Sequence, residues 1–137
     1  MRDADGSLWI EEYLVEPPSH ILNGFVWALW GVRDFALWSR DAEAGAIFEE
    51  AVSTLQKNLG RYDAGFWSLY ELTPAGPRML ASPYYHRLHV IQLHVLHRLT
   101  GQSVFREYAE RWARLGRNPL GKARAVTEKV WFKVRRY

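Results

Sequence analysis

Ser82-Pro83-Tyr84-Tyr85-His86-Arg87-Leu88-His89-Val90-Ile91-Gln92-Leu93-His94-Val95-Leu96-His97-Arg98-Leu99-Thr100-Gly101 is the stretch that decides the fold. Its opening Ser-Pro is a helix start. A serine hydroxyl accepts from orphan N–H groups of a first turn, and proline fits there because its missing N–H has no partner anyway. Leu88, Ile91, Val95, Leu96 and Leu99 then recur at helical spacing. Gly101 supplies the stop, since glycine accepts the left-handed backbone that ends a helix.

The same grammar repeats outward. Val104, Phe105, Tyr108, Trp112 and Leu115 predict a further helix, followed by a break from Gly116 to Gly121. Residues 122–137 alternate basic and apolar groups, as in Val130-Trp131-Phe132-Lys133-Val134, and fit helix or strand equally. Upstream, Asp41 caps a stripe of Ala44, Ile47, Phe48, Ala51, Val52, Leu55 and Leu59 that Gly60 ends. Before it, Ser19 is the N-cap expected for a helix carrying Ile21, Leu22, Phe25, Leu29, Val32 and Ala36, through about Arg40. That helix also bears Trp27, Trp30, Phe35 and Trp38, so it is apolar on more than one face and needs more than one neighbour. Residues 1–18 read as an irregular segment ending at Pro17-Pro18. Phe66-Trp67-Ser68-Leu69-Tyr70-Glu71-Leu72 has partly alternating aromatic character, and Thr73-Pro74-Ala75-Gly76-Pro77 is turn chemistry. The expected product is a mainly α single domain over residues 1–137. It is built from antiparallel helix pairs with a short β-hairpin around residues 62–82.

Composition narrows the function. The chain has no Cys, so it has neither a disulfide framework nor a thiolate metal site, which fits a reducing compartment. Met1-Arg2-Asp3-Ala4-Asp5-Gly6 lacks an apolar targeting core, and no uncharged run is long enough for a membrane span. The default is a cytoplasmic chain with no membrane partner. Charge is uneven: from Arg106 onward ten Lys or Arg face three acids, so that end is +7 and the rest −4 within a net +3. A basic end attracts polyanions, or is simply a solvated helix face. His86, His89 and His97 do not match a zinc ligand spacing, so no metal is expected. No phosphate loop, nucleophile elbow or Cys/His dyad is present, and no cofactor is implied.

Tyrosines in specific contexts remain. They are Tyr13 in Glu11-Glu12-Tyr13, Tyr70 in Ser68-Leu69-Tyr70-Glu71-Leu72, and Tyr85 in Tyr84-Tyr85-His86-Arg87-Leu88-His89. Taken singly, each reads most simply as a half-buried aromatic with its hydroxyl hydrogen-bonded.

Taken together, and with Leu22-Asn23-Gly24-Phe25, Tyr62-Asp63, Gln92-Leu93, Ser103-Val104-Phe105 and Arg111-Trp112, they resemble the C-terminal domain of D-glucuronyl C5-epimerases over roughly residues 9–114. The resemblance implies the second half of an incomplete (α/α) toroid, with residues 117–137 as a basic extension. It implies acid-base roles for Glu12, Tyr13, Tyr70 and Tyr85. Asn23, Trp27 and the His86/His89 helix, with Arg87, would belong to the binding cleft. Trp27 stands where animal members carry Tyr, and Thr73 where they carry an Arg that holds the anionic substrate; Arg78 is a possible substitute. The implied partner is a uronate-containing acidic polysaccharide, with nucleic acid disfavoured. A second copy or another chain would complete the toroid.

C5 epimerisation removes a proton alpha to a carboxylate and returns one on the opposite face. The site must neutralise that carboxylate and supply acid-base groups on both faces. Phenols are good acids toward a carbanion, and one used as a base needs a lowered pKa from cations or hydrogen bonds; Arg87 and the helix histidines are the local candidates. Glu12 is a second base or a relay. Two alternatives stay open: a non-catalytic half-domain that binds glycan or a partner, and a uronate lyase that loses the C4 substituent after the same proton abstraction.

Overall fold

The computed structural model describes residues 1–74 and 78–136. Its helices are α1 (Leu22–Ser39), α2 (Ala42–Asn58), α3 (Pro83–Thr100), α4 (Ser103–Arg117) and α5 (Pro119–Arg136), with a 3-10 turn at Leu59–Tyr62 after α2. None of the helices is long and apolar enough to cross a membrane.

Local signals set most boundaries. The Asp41 carboxylate accepts from the N–H groups of Glu43 and Ala44 at 2.8 and 3.1 Å and starts α2. The Ser82 hydroxyl accepts from the Tyr85 N–H at 3.2 Å, with Pro83 at the first helical position. Gly101, at φ 73°, ends α3 by donating its N–H to the His97 carbonyl at 2.8 Å.

Ser19 does not cap α1. The flanking residue is Ile21, which makes no side-chain cap. Capping here is long-range: the Leu22 N–H donates to the Tyr70 carbonyl at 3.1 Å, and the Leu72 N–H to the Ser19 carbonyl at 2.9 Å. The same contacts explain why the expected β-hairpin is absent among the described residues. The 62–82 segment holds only two isolated antiparallel bridges, Asp63 with Ser68 and Leu69 with Leu80. Tyr70 gives its carbonyl to α1 and Leu72 its N–H to Ser19 just before that helix, so no ladder continues past these residues. The turn expected at 73–77 lies partly outside the described residues. The break at 116–121 contracts to Asn118, whose N–H bonds the Leu115 carbonyl at 3.0 Å, and α5 starts at Pro119.

Packing pairs the helices. α1 and α2 form one hairpin, α3 and α4 a second, α1 meets α3, and α5 packs on α4. Leu22, Phe25, Val26 and Leu29 of α1 share one core with Phe48, Ala51, Val52 and Leu55 of α2. Leu93 and Leu96 of α3 join Phe105, Ala109 and Trp112 of α4 in it. Each large side chain buried this way contributes about 1.5–3 kcal/mol. Trp9, 1% exposed, pins the N-terminal segment to the core. It stacks on His20 at 4.2 Å and meets Phe25 at 5.0 Å.

Candidate active site

The site begins with how residues 11–13 are held. His20 is buried, and its Nδ1 lies 2.5 Å from Glu11 Oε1 while its Nε2 lies 3.3 Å from Asp3 Oδ2. The His20 N–H also donates to Glu11 Oε2 at 3.1 Å. This requires a left-handed backbone at His20, φ 43°, uncommon for a residue with a Cβ and maintained here by these contacts. Anchoring Glu11 delivers Glu12 and Tyr13 to the start of α1. There the Glu12 carboxylate collides with the position a Cβ would take on Gly24, and Glu12 Cβ and Cδ lie 3.1 Å from that position. Gly24 is thus a close-approach glycine.

Tyr70 and Tyr85 complete the cluster. Their rings meet edge-on at 4.9 Å, and Tyr84 meets Tyr85 at 5.3 Å. The Tyr70 phenol is pushed up to about 12, first by burial, then by the Tyr85 and Glu12 charges, a hydrogen bond with Tyr85, and Tyr13. Tyr70 therefore keeps its proton at neutral pH. A phenol acting as a base needs a lowered pKa; at Tyr70 the shift runs the other way, chiefly because the phenol is removed from water and then because Tyr85 and Glu12 add to it. Tyr13 itself is 56% exposed.

Neither α1 nor α3 has an acidic residue in its own first turn, and at α1 the Glu12 carboxylate comes in from outside the helix to sit against Gly24. Asn23 is buried at the start of α1, where its carbonyl accepts from Gln92 Nε2 at 3.0 Å. Its Oδ1 has no hydrogen-bond partner among the described residues. Trp27 is half exposed, one turn beyond Gly24, and packs edge-on against Trp30 at 4.7 Å.

The other residues singled out from sequence lie elsewhere. His86 and His89 are buried between α3 and α4. Ser68 Oγ lies 2.8 Å from His86 Nδ1 and 3.0 Å from His89 Nδ1, and His86 Nε2 bonds the Trp112 carbonyl at 3.0 Å. Burial lowers both imidazoles, His89 to about 3, so they are neutral core groups. Arg87 is exposed on α3 and lines a groove shared with Trp112 and Arg117. Arg78 lines a pocket with Arg61, Glu71 and Thr73, without the tyrosines.

Lys129 is the neighbour that sequence reasoning missed. Its Nζ lies 5.8 Å from the centre of the Tyr70 ring and donates to the Leu80 carbonyl at 3.0 Å. Nothing in its local sequence distinguishes it from the other basic residues of α5; only the packing of α5 brings it here.

A family model described as D-glucuronyl C5-epimerase C-terminus matches residues 1–114. Uncharacterized protein MJ1128 of Methanocaldococcus jannaschii is 33% identical over 104 residues, covering 76% of this chain and 32% of that protein. The D-glucuronyl C5-epimerase of Caenorhabditis elegans is 29% identical over 122 residues, covering 78% of this chain and 20% of that protein. The chain spans about a third and a fifth of the lengths of these two relatives. On the match over residues 1–114, the chain belongs to the D-glucuronyl C5-epimerase C-terminal family.

Proposed function

We propose that this domain inverts C5 of glucuronate in an acidic polysaccharide by proton abstraction and return at the cluster of Glu12, Tyr13, Tyr70 and Tyr85. The observation that carries this reading is the meeting of separate stretches of chain: the Tyr70 and Tyr85 rings touch edge-on at 4.9 Å, and Glu12, with Tyr13 beside it, lies close enough to act on the Tyr70 phenol. Tyr70, protonated at neutral pH, is the acid that returns a proton to the carbanion. Glu12 and Tyr13 serve the abstracting side, with Tyr85 relaying the proton through its hydrogen bond to Tyr70. The substrate carboxylate needs positive charge as the carbanion forms. The Lys129 ammonium beside the Tyr70 ring is the group suited to supply it, in place of an arginine at Thr73.

The two helix hairpins read as part of an (α/α) toroid whose remaining wall comes from a second copy or another chain. Supporting this, Trp27, Trp38 and Leu37 of α1 are 52%, 84% and 63% exposed, and Ile91 of α3 is 50% exposed. An apolar surface of that kind is usually a contact surface.

The test is solvent deuterium uptake at C5 of glucuronate in heparosan oligosaccharides, followed by NMR. Incorporation at C5 supports the reading. Absence of exchange in folded protein, alone and with its partner, sinks it. An unsaturated product absorbing in the near ultraviolet would reassign the same proton abstraction to a lyase.

A further inference from the structure

We propose that the cationic groove between α3, α4 and α5 is a second binding site for the acidic polysaccharide, holding carboxylates of sugar units beyond the one at the tyrosines. The proposal rests on the polyuronate reading of the tyrosine cluster and extends it. Arg87 from α3, Arg117 at the end of α4 and Lys122 in α5 line this groove, and no Asp or Glu does. Among the described residues none of the three cations makes an ion pair. Their charge is therefore available to a ligand, and a groove lined by one sign of charge concentrates counter-ions.

The groove is a product of close helix packing. A Cβ at Gly116 would lie 3.2 Å from His86 Cδ2, so glycine lets α4 approach α3 at this point. Arg117 and Lys122 lie beyond the residues matched by the family model, so this wall is outside the shared portion of the family.

Two observations favour a sugar polyanion over nucleic acid. Trp67 and Trp112 in the groove are 1% and 0% exposed, and the neighbouring Phe66 ring is covered by the Arg124 guanidinium at 3.9 Å. The groove offers charge without an open face for base stacking, the usual platform for single-stranded nucleic acid. Second, a path joins the two sites. Tyr84, 71% exposed, touches Tyr85 at 5.3 Å and precedes Arg87 by three positions on the same side of α3. A sugar chain leaving the tyrosines crosses Tyr84 to reach Arg87.

The experiment measures affinity of the full chain for heparosan polymer as a function of NaCl. The double variant Arg117→Ala/Lys122→Ala is compared with a charge-matched control, Lys57→Ala/Arg98→Ala, at exposed positions on α2 and at the far end of α3. Circular dichroism establishes that both fold. The groove variant is expected to bind the polymer about tenfold more weakly, with a shallower salt dependence, while the control matches wild type. Equal losses in both variants, no loss in either, or tighter binding of single-stranded DNA through Arg117 and Lys122 would overturn the proposal. A wild-type chain that binds heparosan through these residues yet exchanges no C5 proton would leave the groove standing and remove the epimerase reading instead.

Discussion

The Glu12 carboxylate occupies the space where a side chain on Gly24 would begin, with Glu12 Cβ and Cδ only 3.1 Å from that point. A carboxylate expected to work beside tyrosines is thus seated directly on the first turns of α1, and only glycine there permits it. Gly24→Ala should displace Glu12 while improving helix propensity by about 0.5–1 kcal/mol. The expected outcome is a melting temperature close to wild type with C5 exchange reduced about tenfold or more. Exchange at the wild-type rate would remove Glu12 from the mechanism.

Tyr70 carries the largest informative shift in the cluster. Its phenol titrates near 12, above its ordinary 10.0, so folding favours the protonated form. The sign follows directly: this contribution to stability is complete below about pH 10 and is lost as pH rises from there toward 12. Ultraviolet titration should show a tyrosinate transition near 12 that is missing in Tyr70→Phe. A missing transition near 10 instead would place Tyr70 in an ordinary environment.

His89 gives the opposite window. Burial lowers its imidazole from 6.5 to about 3, so the unfolded chain binds a proton that the folded chain refuses. Stability should fall as pH drops from about 6.5 toward 3, and His89→Gln should flatten that part of the urea-midpoint curve relative to wild type. Parallel curves for the two proteins would show that His89 is not held neutral.

The exposed apolar face of α1 predicts association. Trp27 and Trp38, half or more exposed, should be covered by a second copy or a partner chain. Sedimentation of dilute protein should reveal a species larger than the 16.0 kDa chain, and Trp38→Glu should shift it to monomer. A stable wild-type monomer, with no partner recovered, would contradict the incomplete-toroid reading.

Much of the helical frame is legible in the sequence because its signals are local. Asp41 caps α2, Ser82 with Pro83 starts α3, and Gly101 ends it, each through bonds within four residues. The misread places depend on distant partners. Ser19 looks like a cap, yet α1 takes its first acceptor from Tyr70, and that exchange dissolves the hairpin expected near 62–82. The burial of His86 and His89 under Ser68 and α4 likewise could not be read from their spacing. The tyrosine contexts singled out Glu12, Tyr13, Tyr70 and Tyr85, which the fold gathers. The Asp3–His20–Glu11 anchor and Lys129 carried no local signature.

The central claim is that the Tyr70–Tyr85 pair moves the C5 proton. Its most direct test compares C5 deuterium uptake into heparosan oligosaccharides by wild type, Tyr70→Phe and Tyr85→Phe, each under the association state found for wild type. The predicted result is measurable uptake by wild type and a loss of about 10²–10⁴-fold in either variant with oligosaccharide affinity largely retained. Uptake by both phenylalanine variants at the wild-type rate would contradict it.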